Sequence, residues 1–427
     1  MPSRIRARAA SRSVVALVAT LAALGAAESP STPAQATTEP IPALGGARLR
    51  LIDIGVNVMT VAGASTASDD EIGALFGGHH DPARRGFTLQ QAELTMSGAV
   101  DPYFAATVHI LAGEEGFELE DASASTTALP AGLQVRAGYF PLEFGRVNPG
   151  HPHLWAWLSK PVAATRFLGP DGTRGAGARV SWLAPVPWYS RVLVAAHDAA
   201  NETAVSFRGL VDEEDDSVGI AGRPRVESDV RSPGDLLWLA RWENGTDLGQ
   251  VALRLGVSLL TGPNASGEDA DTRIYGADLV AKWTAAGATR GYPYLSFEAE
   301  AMQRDYTSAA FDDGTDVFDE VDLSDRGGHA QLVWGIRNGW AVGLRGELAT
   351  GSGESDVLAR ADDPSRDDRV RIAPLVMWNP THFSRLRLEY DYDRFEHQDG
   401  LEDGEDDAHS VWLGLEVQFG AHPAHGF

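Results

Sequence analysis

Strict alternation, with charge confined to one side of it, is the feature that most narrows what this chain can become. Val411, Leu413, Leu415, Val417 and Phe419 share one face of a period-two repeat, and Trp412, Gly414, Glu416 and Gln418 share the other. The same holds at 251–259, with Val251, Leu253, Leu255, Val257 and Leu259 opposed to Ala252, Arg254, Gly256 and Ser258. Over 383–394, Leu386, Leu388, Tyr390 and Tyr392 oppose Arg385, Arg387, Glu389 and Asp391. Such strands either bury the apolar face in a globular core or turn it outward to lipid, and alternation alone does not separate the two. Aromatic placement does. Tyr103 and Phe104, Trp182 and Trp188, Trp242, Trp283 with Tyr292 and Tyr294, Trp340, and Trp378 with Phe383 flank six of the seven short turns between strands. Amphipathic rings gather where headgroups meet hydrocarbon, so a ring of them at one end of the strands reads as a membrane girdle.

The N-terminus supports export. Arg4, Arg6, Arg8 and Arg12 precede an apolar run, 14–26, that is too short to cross a bilayer core needing about 20 residues. We therefore expect a signal peptide at 1–27 and a periplasmic tether at 28–46, too short for a plug domain, ahead of a barrel at 47–427. No later run is long and apolar enough for a spanning helix, so membrane insertion has to use strands. An exported chain with no cysteine rests on packing and hydrogen bonds alone. A net charge of −25 argues against nucleic acid as a partner.

The breaks in alternation divide the chain into about sixteen strands of roughly 9 to 13 residues, the length of a tilted membrane-spanning strand. Short connections are predicted at 100–102, 129–132, 185–187, 244–247, 285–292, 337–339 and 379–381. Long ones are predicted at 63–86, 141–174, 198–233, 261–271, 305–326, 351–367 and 395–407, with an intermediate one at 113–116. An even strand number with both ends on the short-turn side is the topology of outer-membrane barrels, whose short turns face the periplasm and whose long loops face outward. The fold class predicted is thus an all-β, transmembrane antiparallel β-barrel of about 16 strands. Acidic clusters at 212–216, 312–325 and 393–407 fall in the long connections, where they would ring the outer mouth.

Loop 141–174 stands apart because Pro, Gly and aromatic residues crowd a segment that would otherwise sit in water. We expect it to fold into the barrel, with Glu143, Phe144, Arg146, Lys160 and Arg166 forming a constriction. Arg136, Arg254, Arg345, Glu347, Arg385, Arg387, Glu389 and Asp391 are predicted to line the lumen. Hydrolase, phosphate-loop and zinc-protease motifs do not occur, so no enzymatic role and no cofactor is expected. The candidate metal ligands are His151, His153, His422 and His425, with solvated loop histidines as the commoner reading.

The run AGYFPLEFGRVNP at 137–149 with His151 and His153, together with FGAHPAH at 419–425, resembles bacterial outer-membrane porin-like proteins of the zinc-regulated type. More distantly, it is similar to the phosphate-selective porins O and P. The resemblance implies a sixteen-stranded barrel, an inward-folded loop that begins at Phe140, Phe144, Gly145 and Arg146, and passive diffusion. Only Lys160 and Lys282 are lysines, so the lysine-lined path of phosphate-selective porins has no counterpart. The functional expectation is a porin in the outer membrane of a Gram-negative-type bacterium, passing small hydrophilic solutes or ions, with membrane lipid as its surroundings and a homotrimer as the assembly. The alternatives are a receptor or uptake protein that binds a metal such as zinc, and a barrel enzyme acting on lipid.

Overall fold

The computed structural model describes residues 52–114, 116–201, 203–209, 219–226, 229–357, 363, 365–395 and 406–421. The expected signal peptide and tether, the acidic run 212–216, His422 and His425 lie outside the described residues. Alternation becomes β1 (Asp53–Ser65), β2 (Gly86–Ala99), β3 (Phe104–Ala112), β4 (Phe117–Thr126), β5 (Leu133–Pro141), β6 (Arg174–Leu183), β7 (Tyr189–Asp198), β8 (Leu236–Leu248) and β9 (Val251–Pro263). It continues through β10 (Asp271–Thr289), β11 (Tyr292–Ser308), β14 (Val321–Arg337), β15 (Trp340–Ser352), β16 (Arg369–Thr381), β17 (Ser384–Phe395) and β18 (Asp406–Gly420). These sixteen close into one antiparallel barrel, in which Gly55 of β1 pairs with Gly420 of β18. A small hairpin, β12 (Phe311–Asp312) with β13 (Val317–Phe318), occupies one connection. Two short helices, α1 (Asp69–Phe76) and α2 (Val162–Leu168), lie in long connections, and no described helix is long and apolar enough to cross a membrane.

β1 starts and β18 finishes at the end of the barrel that carries the short turns. One of those turns lies further along than expected. Asn244-Gly245 reads as a hairpin dipeptide, yet β8 runs through it, with Asn244 paired to Ser190 on one side and to Leu255 on the other. The reversal comes at 249–250, where Gly249 takes a φ of +65°. At Asn244-Gly245 the strands on both sides keep pairing, which outweighs the local turn preference. β10 extends to Thr289, and Arg290 and Gly291, both at positive φ, make the turn within the expected connection 285–292.

The apolar stripes face outward. Leu255, Val257, Leu332, Leu344, Leu413 and Leu415 are exposed, while Ser258, Arg345, Arg387, Glu389 and Glu416 on the opposite faces are buried. Tyr103, Phe104, Trp182, Trp188, Trp242, Trp283, Trp378 and Phe383 are exposed near the short turns, and Phe87, Phe117 and Tyr275 are exposed toward the other end. Tyr294 departs from the expected girdle. It shares the inner face of β11 with Ser296 and Glu298, packs beside Trp157 and Met377, and has the Tyr292 ring tilted against it, 5.3 Å between ring centres. Alternation assigns Tyr294 inward, and proximity to a turn does not change that.

The outward face sets a depth-dependent cost for charge. Replacing Val257, 51% exposed at the middle of β9, by arginine is expected to cost about 2–4 kcal/mol in folding into phospholipid vesicles, against about 0–1 for Leu248→Arg at the strand end. Denaturant titration of the refolded barrel measures the difference.

Candidate functional site

Beyond Pro141 the chain loses alternation and turns into the barrel, bringing unpaired backbone N–H and C=O groups into a confined space. Each such group needs a partner. The neck of the loop is stapled first. Leu142 N donates to Thr173 O (3.0 Å), and Asn148 Nδ2 donates to Leu142 O (2.7 Å) and Thr173 O (2.9 Å) while its Oδ1 accepts from Thr173 N (2.8 Å). Gly145 follows at a φ of +59°, and a Cβ there would overlap the Glu300 carboxylate. Phe144 is fully buried against Gly276 of β10, where a side chain on the wall would strike its ring.

From this point the inner wall supplies what a neighbouring strand would. Glu300 accepts from the backbone N–H of Arg146 (2.8 Å) and Val147 (3.2 Å). Arg385 donates to His153 O (2.8 Å) and Trp155 O (2.9 Å), and Arg387 donates to Trp157 O (3.1 Å). Glu389 accepts from Leu158 N (2.8 Å), Arg345 donates to Ser159 O (2.8 Å), and Glu347 accepts from Val162 N (2.7 Å) at the start of α2. The wall groups also hold one another, as in Arg345–Glu347 at 2.7 Å and Arg387–Glu416 at 2.9 Å.

Two further connections fold inward, which alternation and loop length do not foretell. In 66–85, Ser68 and Glu71 form a capping box at the start of α1, whose Ile72, Leu75 and Phe76 pack with Val61, Leu158 and Trp412. Arg369 and Arg371 on the wall donate to the carbonyl of Leu75, both at 3.0 Å, and so satisfy the last turn of that helix. In 203–207, Ser206 Oγ donates to Phe167 O (2.7 Å), and Phe207 joins Phe167 and Leu168 in one apolar cluster. The available signal was the capping-box spacing ahead of Ile72, Leu75 and Phe76.

The residues expected to constrict the pore occupy different environments. Glu143 is ion-paired with Arg179 and with Arg191 (2.7 Å). Arg146 lines a cavity of about 450 Å³ with Trp155, Lys282, Glu298 and Arg385. Lys160 is buried, its ammonium donating to Gly169 O (2.8 Å), and Arg166 donates to Asp367 O (2.7 Å). Among the expected lumen residues, Arg136 donates to Ser123 Oγ (2.9 Å) and Arg254 lies over Tyr189, 5.3 Å from the ring centre. Arg345, Glu347, Arg387, Glu389 and Asp391 are on the inner wall, but each is buried.

A second cavity, of about 310 Å³, is lined by Glu93, Thr95, His109, His151, His153 and Gln418. His151 Nδ1 lies 2.8 Å from Glu120, and His153 Nδ1 lies 2.9 Å from Glu93. Burial alone would lower the His151 imidazole, but the carboxylates of Glu120, Glu93 and Asp121 outweigh it and push its pKa up to about 9. Residues Glu93 and His109 stand alone in their strands as a sequence is read, and only the register of β2, β3 and the loop joins them to His151.

The chain is 30% identical over 373 residues to an uncharacterized protein of Aquifex aeolicus (strain VF5), a match that covers 84% of this chain and 75% of that protein. It belongs to the family of that protein. No family model matches the chain. Among solved structures, it is similar to the outer-membrane channel DcaP of Acinetobacter baumannii, with a TM-score of 0.57 and 12% identity over 86% of this chain and 97% of that one. It is also similar to Pseudomonas putida OprB (TM-score 0.51, 11% identity, 86% and 94%) and to an anion-selective porin from Comamonas acidovorans (TM-score 0.50, 11% identity, 86% and 99%). At such identities the likeness is one of fold, the outer-membrane porin barrel. With its apolar exterior and closed sheet, the protein resides in the outer membrane.

One loop contact titrates near neutrality. Asp81 Oδ1 accepts from Lys160 N (2.8 Å), and burial pushes the Asp81 carboxyl up to about 7 while pulling the Lys160 ammonium down to about 8. An acid whose pKa is raised on docking holds its proton better docked than free, so its share of docking stability falls as pH rises through about 7. Lowering the pH from about 8 to about 6 should therefore slow protease cleavage within 66–85, and Asp81→Asn should flatten that dependence.

Proposed function

We propose that the protein is an outer-membrane channel for passive diffusion of small hydrophilic solutes or ions, narrowed from within by 142–173 and assisted by 66–85. The observation that carries this reading is the inward fold of an irregular segment inside a closed sixteen-stranded barrel, with cavities beneath it. A barrel of that size leaves a lumen wider than wall side chains fill, so a segment seated inside it sets the passage. Glu143 and Arg146 offer polar surface to the passage, while Phe144, Lys160 and Arg166 hold the segment in shape. The long connections face outward and the short turns face the periplasm. Export requires the signal peptide at 1–27, with 28–46 as a tether. The stretch 137–153 supports a place near the zinc-regulated porin-like proteins, within the coarser porin-like fold.

Replacing 144–167 by a short Gly/Ser linker should raise single-channel conductance in planar bilayers severalfold and admit larger solutes, while heat-modifiable electrophoretic migration shows that the barrel still assembles. Conductance equal to that of the intact protein in an assembled variant would place the constriction elsewhere.

A further inference from the structure

Below the loop, on the side of the short turns, Glu93 from β2, His109 from β3, and His151 and His153 from the loop line the 310 Å³ cavity, with Glu120 of β4 against His151 and Asp121 of β4 paired in register with His109. We propose that Glu93, His109 and His151 form a binding site for one divalent transition-metal ion of the zinc type, with its fourth position open to that cavity. The site depends on where the loop lies and not on whether solutes diffuse past it.

The geometry meets the requirements of such a site. One donor atom from each of the three side chains lies within 4.8 Å of the other two. His109 Nδ1 faces His151 Nε2 at 2.7 Å, and Glu93 Oε1 is 4.0 Å from the same His109 nitrogen. Ligand atoms around a tetrahedral ion with bonds of about 2.0–2.1 Å stand about 3.4 Å apart, between those two separations. Small rotations of the two rings would seat the ion. Two imidazoles and one carboxylate select zinc-like ions over magnesium or calcium, which prefer all-oxygen shells.

Outer partners are already in place. Glu120 lies 2.8 Å from His151 Nδ1, where it takes that N–H, so that an ion displacing the Nε2 proton to solvent meets the Nε2 lone pair. Thr95 Oγ1 donates to Glu93 Oε1 (2.8 Å), and His153 Nδ1 donates to Glu93 Oε2 (2.9 Å), which fixes the carboxylate. Carboxylate-oriented histidines of this kind are how metal ligands are held and tuned. The other nearby group, His80, Glu118 and Asp171, differs because the Arg174 guanidinium sits on Glu118 and 3.6 Å from Glu120, so a cation is already there. Since Glu93 and His109 belong to the wall and His151 to the loop, an ion would pin the loop to β2 and β3, which only β18 and β1 separate from its anchors on β17.

The test uses the full-length chain, folded in detergent, stripped of metal and titrated with Co²⁺ as a visible probe, with Zn²⁺ as competitor. The expected result is one equivalent of Co²⁺ with a tetrahedral spectrum, displaced by Zn²⁺. His109→Ala and His151→Ala should abolish it, Glu120→Gln should weaken it by about tenfold, and substitution of His79, His80, His422 and His425 should leave it unchanged. His109→Gln, which keeps size and hydrogen bonding, serves if the alanine variant fails to fold. Absence of stoichiometric binding, survival of binding in folded His109 or His151 variants, or its loss on removing the other four histidines would each overturn the site. Conductance of the same preparation is read separately, so failure of the metal site leaves the diffusion reading to its own measurement.

Discussion

An irregular segment inside a barrel has to find partners for its peptide groups, and in this protein charged side chains on the wall provide them. The division is by sign. Glu300, Glu389 and Glu347 meet N–H groups of Arg146, Val147, Leu158 and Val162, while Arg385, Arg387 and Arg345 meet carbonyls from His153 to Ser159. Hydrogen bonds to charged groups contribute about 1.5–3 kcal/mol each, and stranding one member of a buried pair costs about 3–5. Because the same residues also pair with each other, the wall and the loop form one network. Charge on this inner face therefore serves first as scaffold and only in part as the surface that a solute meets.

The consequence for the channel is an asymmetric interior. Toward the long connections, α1, α2 and 203–207 fill space with apolar clusters built on Phe76, Phe167 and Phe207. Toward the short turns, the two cavities remain, one edged by Arg146, Lys282, Glu298 and Arg385 and the other by histidines and Glu93. The two pockets beneath the loop differ chemically, mixed charge edging one and nitrogen and oxygen donors edging the other.

Much of the barrel was legible because period two leaves little freedom. The outward placement of Leu413, Leu415 and Val417, and the inward placement of Arg387 and Glu389, follow from parity alone. What parity omits is what covers a face. Arg345 and Glu347 read as lumen residues, and nothing in their strand indicates that Ser159 and Val162 lie over them. The inward-facing glycines were a trace of that cover: Gly414 sits where Leu158 presses on β18, and Gly276 where Phe144 presses on β10. Asn244-Gly245 misled because a strong local turn signal yields when strands on both sides keep pairing. The grouping of Glu93, His109 and His151 depends on strand register and loop return, neither of which has a local mark.

Everything proposed for the lumen depends on the loop being seated on the wall, and covalent capture tests that seating most directly. Ala163 in α2 touches the inner face of β14 at Gly327, where an added Cβ would lie 2.6 Å from that of Ala163, so a shift of about 1 Å brings the pair to the Cβ separation of about 3.8 Å that a disulfide spans. The chain contains no cysteine, so a pair introduced as Ala163→Cys and Gly327→Cys has no competing thiol. In assembled barrels within native outer membranes, mild oxidation should cross-link this pair nearly completely, seen as a shift in unreduced electrophoretic migration that a reductant reverses. If the pair stayed reduced while a neighbouring-strand cysteine pair in the same barrel oxidised, the segment would not lie against the wall, and a lumen narrowed from within by 142–173 would be contradicted.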